Sequence, residues 1–149
     1  MKKISVFLLI LFMSHCGYTP IYNNDNKVKI KINILEAQGD KKFNNLLISD
    51  IKKISRNDFE KELNIKINTN FSKIITAKDS KGEASNYLLK VNAKFEIINE
   101  NEIEFVSFEE NINIRNNNNL FEQKKYEDTI KVTFAKSIIN KLIEKLSVN

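Results

Sequence analysis

From Lys27 to Ile34 the chain alternates, with Val28, Ile30, Ile32 and Ile34 on one side and Lys29, Lys31 and Asn33 on the other. Successive strand residues point to opposite faces, so this stretch predicts a half-buried strand. Gly39-Asp40 breaks it. Phe43, Leu47, Ile51 and Ile54 then recur at helical spacing and predict a helix from Lys41 to about Asn57, capped by Asp40. Phe59 to Leu63 is compatible with a helix extension or a turn. Ile65, Ile67, Thr69 and Phe71 alternate with Lys66, Asn68 and Asn70, giving a second strand that extends towards Ala77. Asp79-Ser80-Lys81-Gly82 predicts a turn. Tyr87, Leu89, Val91, Ala93, Phe95 and Ile97 form the apolar side of a third strand, whose polar side carries Lys90, Asn92, Lys94 and Glu96. After Asn99-Glu100-Asn101 comes a fourth strand. There Ile103 and Phe105 are out of phase with Val106, Phe108, Ile112 and Ile114, a parity change that predicts a bulge near Phe105 to Ser107. Asn119, with Glu122 three residues on, begins a last helix, roughly Leu120 to Leu146, striped by Ile130, Phe134, Ile138, Leu142 and Ile143.

The order β-α-β-β-β-α predicts an α+β two-layer sandwich: one four-stranded sheet with both helices on its apolar face, strands two to four forming an antiparallel meander. No period of repeat length recurs.

The first 26 residues follow a different pattern. Lys2 and Lys3 precede an apolar run from Ile4 to Met13, then Ser14, His15 and Cys16. This is the layout of a lipoprotein signal peptide, residues 1–15, ending at a lipidated cysteine. The run is short of the roughly 20 residues that span a bilayer. His15 stands where Gly, Ala or Ser is usual before the cysteine. An ordinary signal peptide cut nearby, leaving Cys16 as a free thiol, is the alternative. Residues 16–26 form the lipidated N-terminus and tether, and residues 27–149 form a single α+β domain. Several acyl chains hold a protein on a membrane where one chain holds only marginally.

Composition narrows the chemistry. Cleavage before Cys16 removes the only histidine, and the only cysteine becomes the attachment point, so imidazole, thiolate and disulfide chemistry are all excluded from the mature chain. Without Lys2 and Lys3, 22 basic residues stand against 19 acidic ones, a net charge of +3, too mild to imply nucleic acid. Glu109-Glu110 is an adjacent carboxylate pair that could be proposed for glycan cleavage, but neighbours in a strand face opposite ways and cannot flank one bond without a bulge. A non-enzymatic protein without a cofactor, apart from the covalent lipid on Cys16, is expected.

Cys16-Gly17-Tyr18-Thr19-Pro20-Ile21-Tyr22, a short helix near Asn44 to Arg56, the Tyr87 to Val91 strand and a terminal helix opening near Tyr126 together resemble the LptE family of lipopolysaccharide-assembly lipoproteins, in its alphaproteobacterial form. That resemblance implies an outer-membrane location on the periplasmic side, an LptD-type β-barrel as partner, and lipopolysaccharide as ligand. Gly17, where Asp would signal inner-membrane retention, agrees with it. An auxiliary lipoprotein of another lipid-transport or barrel-assembly system is the alternative. The lysines expected on the outer sheet face, Lys29, Lys31, Lys66, Lys90 and Lys94, suit lipid phosphates; they also suit a merely solvated face. Lys124, Lys125, Lys131, Lys136, Lys141 and Lys145 on the last helix are expected to be solubilising.

Overall fold

The structure, a computed structural model, describes residues 30–55, 58–99 and 102–148. The expected signal peptide, Cys16, the expected tether and Lys27 to Lys29 lie outside them. The elements are β1 (Ile30–Gly39), α1 (Lys41–Ile54), β2 (Lys61–Lys78), β3 (Ala84–Ile98), β4 (Ile103–Arg115) and α2 (Leu120–Val148). The sheet order is β1-β2-β3-β4. The fold is therefore the expected α+β sandwich, with a mixed sheet: β1 runs parallel to β2, while β2, β3 and β4 form the antiparallel meander. The parallel pair follows from the helix between β1 and β2, because a crossover brings the chain back to the same end of the sheet.

One face of the sheet buries Leu63, Ile65, Ile67, Leu89, Val91, Ala93, Phe95 and Ile97 against Phe43, Leu47 and Ile51 of α1 and Ile130, Phe134, Ile138 and Leu142 of α2. Those are the positions that alternation and helical spacing select. Dehydration of this layer is the main source of stability, at about 25 cal/mol per Å² of apolar surface removed from water.

Helix α1 is capped as expected, the Asp40 carboxylate accepting from the Phe43 amide at 2.7 Å. It stops at Ile54, earlier than Asn57. There the Ser55 amide donates to the Ile51 carbonyl, while the Ser55 hydroxyl accepts from the Ile32 amide at 2.9 Å. Phe59 precedes β2 in an irregular segment, and the strand starts at Lys61. The junction between β1 and α1 is tight. Gly39 has φ +97°, and a Cβ there would stand 1.8 Å from the Thr69 carbonyl oxygen. Beside it the buried Thr69 hydroxyl donates to the Asn44 side-chain oxygen at 2.7 Å, and the Asn44 amide donates to the Gln38 carbonyl at 2.9 Å.

The bulge expected in β4 is absent. Pairing of β3 with β4 is continuous from Asn86↔Arg115 to Ile98↔Ile103, so Ile103 and Phe105 stay on the outer face with Ser107 and Glu109. Phe105 is 75% exposed. The parity change marks apolar residues left in solvent, not a break in the ladder. Register shifts occur in β1 between Ile34 and Glu36, which turns Leu35 outwards, and in β2 after Ile75.

Helix α2 opens where expected, the Asn119 side-chain oxygen accepting from the Phe121 and Glu122 amides at 3.0 and 3.2 Å. Among the described residues no helix is long and apolar enough to cross a membrane.

Candidate ligand-binding surfaces

Strand pairing puts Lys31, Lys66, Lys90 and Lys94 together on the outer face of the sheet, with Asn33, Asn64, Asn68 and Asn92 between them. Lys29, the fifth lysine expected there, lies outside the described residues. The same pairing brings carboxylates to that face. Lys31 pairs with Glu62 at 3.1 Å, Lys66 with Glu96 at 2.8 Å and Lys90 with Glu109 at 2.9 Å. The Asn33 amide also donates to Glu62 at 2.6 Å, and this bond together with Lys31 holds the Glu62 carboxyl below the usual range. The hydrogen bond to Glu96 raises Lys66, and Glu36 adds to the effect.

With Glu36, Glu62, Glu96 and Glu109 opposing Lys31, Lys66, Lys90 and Lys94, this part of the face is charge-balanced. Only Lys94, among the described lysines of this face, has no carboxylate within ion-pair distance. Exposed pairs of this kind contribute little to stability, but they place a negative charge beside each paired lysine. An anionic ligand must displace that carboxylate or accept its repulsion. Shallow space between Lys66, Lys94 and Phe105 forms a hollow on this side.

The two neighbouring glutamates of β4 separate as strand geometry requires. Glu109 faces outwards to Lys90, whereas Glu110 lies under α2, accepting from the Ser137 hydroxyl at 2.7 Å and from Lys141 at 2.6 Å. Burial pushes the Glu110 carboxyl up, but the Lys141 and Ser137 hydrogen bonds outweigh it, so it sits below its ordinary value.

A second surface, not anticipated from the pattern, occupies the end of the sheet farthest from Ile30. Here the Asp79 to Glu83 turn meets the end of β4: Asn116 donates its backbone amide to the Ser85 carbonyl and its side-chain amide to the Ala84 carbonyl, each at 2.8 Å. Helix α2 starts just beyond. Leu120 and Phe121 are 82% and 72% exposed, and Tyr126 flanks an open hollow lined by Asn113, Arg115, Asn117 and Gln123. Lys78, Lys81, Arg115, Lys124 and Lys125 cluster at this end, and none is in ion-pair distance of a carboxylate among the described residues. By contrast Lys131, Lys141 and Lys145 farther along α2 pair with Asp40, Glu110 and Glu104. The sequence signal for this surface was the Leu120-Phe121 pair, which precedes the buried stripe and has no strand to cover it.

No family model and no curated protein matches the sequence. The fold is shared with solved structures. A rare lipoprotein B from Shewanella oneidensis superposes with TM-score 0.54 at 12% identity, over 76% of this chain and 96% of that one. An uncharacterized lipoprotein B from Nitrosomonas europaea gives TM-score 0.54 at 13% identity, over 81% of this chain and 86% of that one.

Proposed function

We propose that the protein is a non-enzymatic outer-membrane lipoprotein, anchored through Cys16 on the periplasmic side, that assists assembly of an LptD-type β-barrel and binds lipopolysaccharide. One conjunction supports this reading: a lipidation sequence, Cys16 to Tyr22, lies a short tether away from a domain whose fold is similar to those of solved lipoproteins. From Cys16 to Ile30 the chain reaches at most about 50 Å, so the domain stays close to its membrane.

The charge-balanced sheet face changes where glycolipid contact is expected. Lys31, Lys66 and Lys90 already hold carboxylates, so phosphate contact on this face falls chiefly to Lys94. Among the described residues Arg115, Lys124 and Lys125 have no carboxylate within ion-pair distance, although Glu122 lines the hollow beside Arg115 and Asp128, paired with Lys42, lies near Lys124 and Lys125; they stand beside exposed Leu120, Phe121 and Tyr126. Fixed positive charge next to apolar and aromatic surface suits a ligand with phosphates and acyl chains.

The test is affinity isolation of the full-length protein from detergent-solubilised outer membrane, with mass spectrometry of the mature N-terminus. The expected outcome is an acylated Cys16 and co-isolation of an LptD-type barrel; Cys16→Ala should give a folded but mislocalised protein. An unmodified Cys16 would remove the lipoprotein reading. Recovery of an inner-membrane transporter in place of the barrel would favour an auxiliary role in another lipid-transport system.

A further inference from the structure

Strand β2 is much longer than its parallel neighbour. It pairs with β3 from Asn64 to Lys78, but β1 accompanies it only from Lys61 to Thr69, because the chain turns away at Gly39. From Asn70 to Lys78 its other side has no neighbouring strand among the described residues. The open lane is roughly 27 Å long. The Thr69 carbonyl accepts from the Asp40 amide at 3.3 Å on the β1 side, which fixes the direction of the backbone groups beyond it. By the two-residue repeat of a strand, Phe71, Lys73 and Ile75 also point their amides and carbonyls into the lane, while Asn70, Ser72 and Ile74 turn theirs to β3.

Unpaired strand edges are normally guarded by charge, proline or a bulge. Here the guard is missing where it matters. Lys73 is the only charged residue between Asn70 and Ile75, and its side chain is drawn over the inner face: Nζ lies 2.6 Å from Glu127 and 3.9 Å from the centre of the Tyr87 ring. The register shifts come only after Ile75. Ile74 and Ile75 are 47% and 51% exposed on opposite faces of this bare edge. At its far end Lys78 and Lys81 carry charge without a carboxylate partner among the described residues.

We propose that the lane is a strand-addition site for a partner protein: an extended segment hydrogen-bonds to Phe71, Lys73 and Ile75, sets apolar side chains beside Ile74 and Ile75, and brings carboxylates to Lys78 and Lys81. Backbone pairing supplies affinity in such sites and side-chain positions supply selectivity. The proposal does not depend on the identity of any barrel or glycolipid.

The test uses the full mature chain and a blocked peptide, Glu-Thr-Val-Val-Val-Thr-Glu, whose acidic ends presuppose no orientation. Saturable binding with slowed hydrogen exchange at the Phe71, Lys73 and Ile75 amides is expected. Ile75→Pro removes a lane-facing donor while sparing the β3 ladder, and should weaken binding at least tenfold with the other strands still protected; Ile75→Thr should bind nearly as wild type. Ile74→Lys, which restores a guarding charge at an exposed position, should weaken binding severalfold and serves if the proline variant does not fold. Unchanged exchange at those three amides on adding peptide, protection appearing along β1 or β4 in their place, or folded variants with unaltered affinity would overturn the proposal. So would self-association of the wild type that Ile74→Lys abolishes, since the occupant would then be a second copy of this chain.

Discussion

Gly39 is the position where one side chain decides how two elements meet. Its positive φ is unfavourable for any residue with a Cβ, and that Cβ would overlap the Thr69 carbonyl, a backbone atom held in the sheet and unable to yield cheaply. Gly39→Ala should therefore cost about 2 to 4 kcal/mol, combining backbone strain with steric displacement. Urea unfolding of the soluble domain would measure it, and a cost below about 1 kcal/mol would mean that β1 and α1 can separate without penalty. The nearby Asn44–Thr69 bond belongs to the same junction. Both partners are buried and satisfied, so either substitution to an apolar residue leaves the other without its hydrogen-bond partner.

Glu110 links β4 to α2 and shows the pH dependence expected between elements. Its folded pKa lies below the unfolded value, so its stabilising contribution is complete above the ordinary carboxyl value of 4.5 and is lost as pH falls through the folded pKa. Glu110→Gln should flatten the acid limb of stability against pH; urea midpoints from pH 7 to pH 3 for both proteins would show it, and parallel curves would deny the coupling. At this scale the sequence was readable wherever burial follows alternation. β2, β3 and both helix stripes came out on the correct faces because their apolar residues do face the core. β4 misled because Ile103 and Phe105 are apolar yet exposed, and periodicity carries no information about which apolar residues remain in solvent. The partners of Lys31, Lys66 and Lys90 were equally hidden. Each carboxylate comes from a neighbouring strand, so its position depends on register and not on the alternation within any one strand.

Across the described residues, the start of β1 at Ile30 and the basic side chains without a carboxylate in ion-pair distance lie at opposite ends of the sheet. The chain enters at Ile30, next to Lys61, whereas the Asp79 to Glu83 turn, Arg115 and the start of α2 stand at the other end of β2, roughly 55 Å away at the usual rise per residue. A domain held by Cys16 would thus present Lys78, Lys81, Arg115, Lys124 and Lys125 away from its anchor, while its flank carries balanced ion pairs. If lipopolysaccharide is the ligand, the two surfaces should respond differently to charge reversal. Lys124→Glu with Lys125→Glu sets negative charge beside phosphates where nothing neutralises it, and should lower glycolipid binding by about tenfold or more. Lys90→Glu with Lys94→Glu also removes one existing ion pair, leaves Glu109 unopposed, and should have the smaller effect on binding. Both pairs are on the surface, so each double variant should melt close to wild type. Binding that rests on exposed charges is screened beyond about 8 Å at physiological ionic strength, so the wild type should weaken with added salt and the Lys124/Lys125 variant should show little further loss. Measuring lipopolysaccharide binding by all three proteins at two salt concentrations decides between the surfaces. A larger loss from the Lys90/Lys94 variant would return the site to the sheet face, and salt-insensitive binding by all three would place recognition on the apolar groups, Leu120, Phe121 and Tyr126.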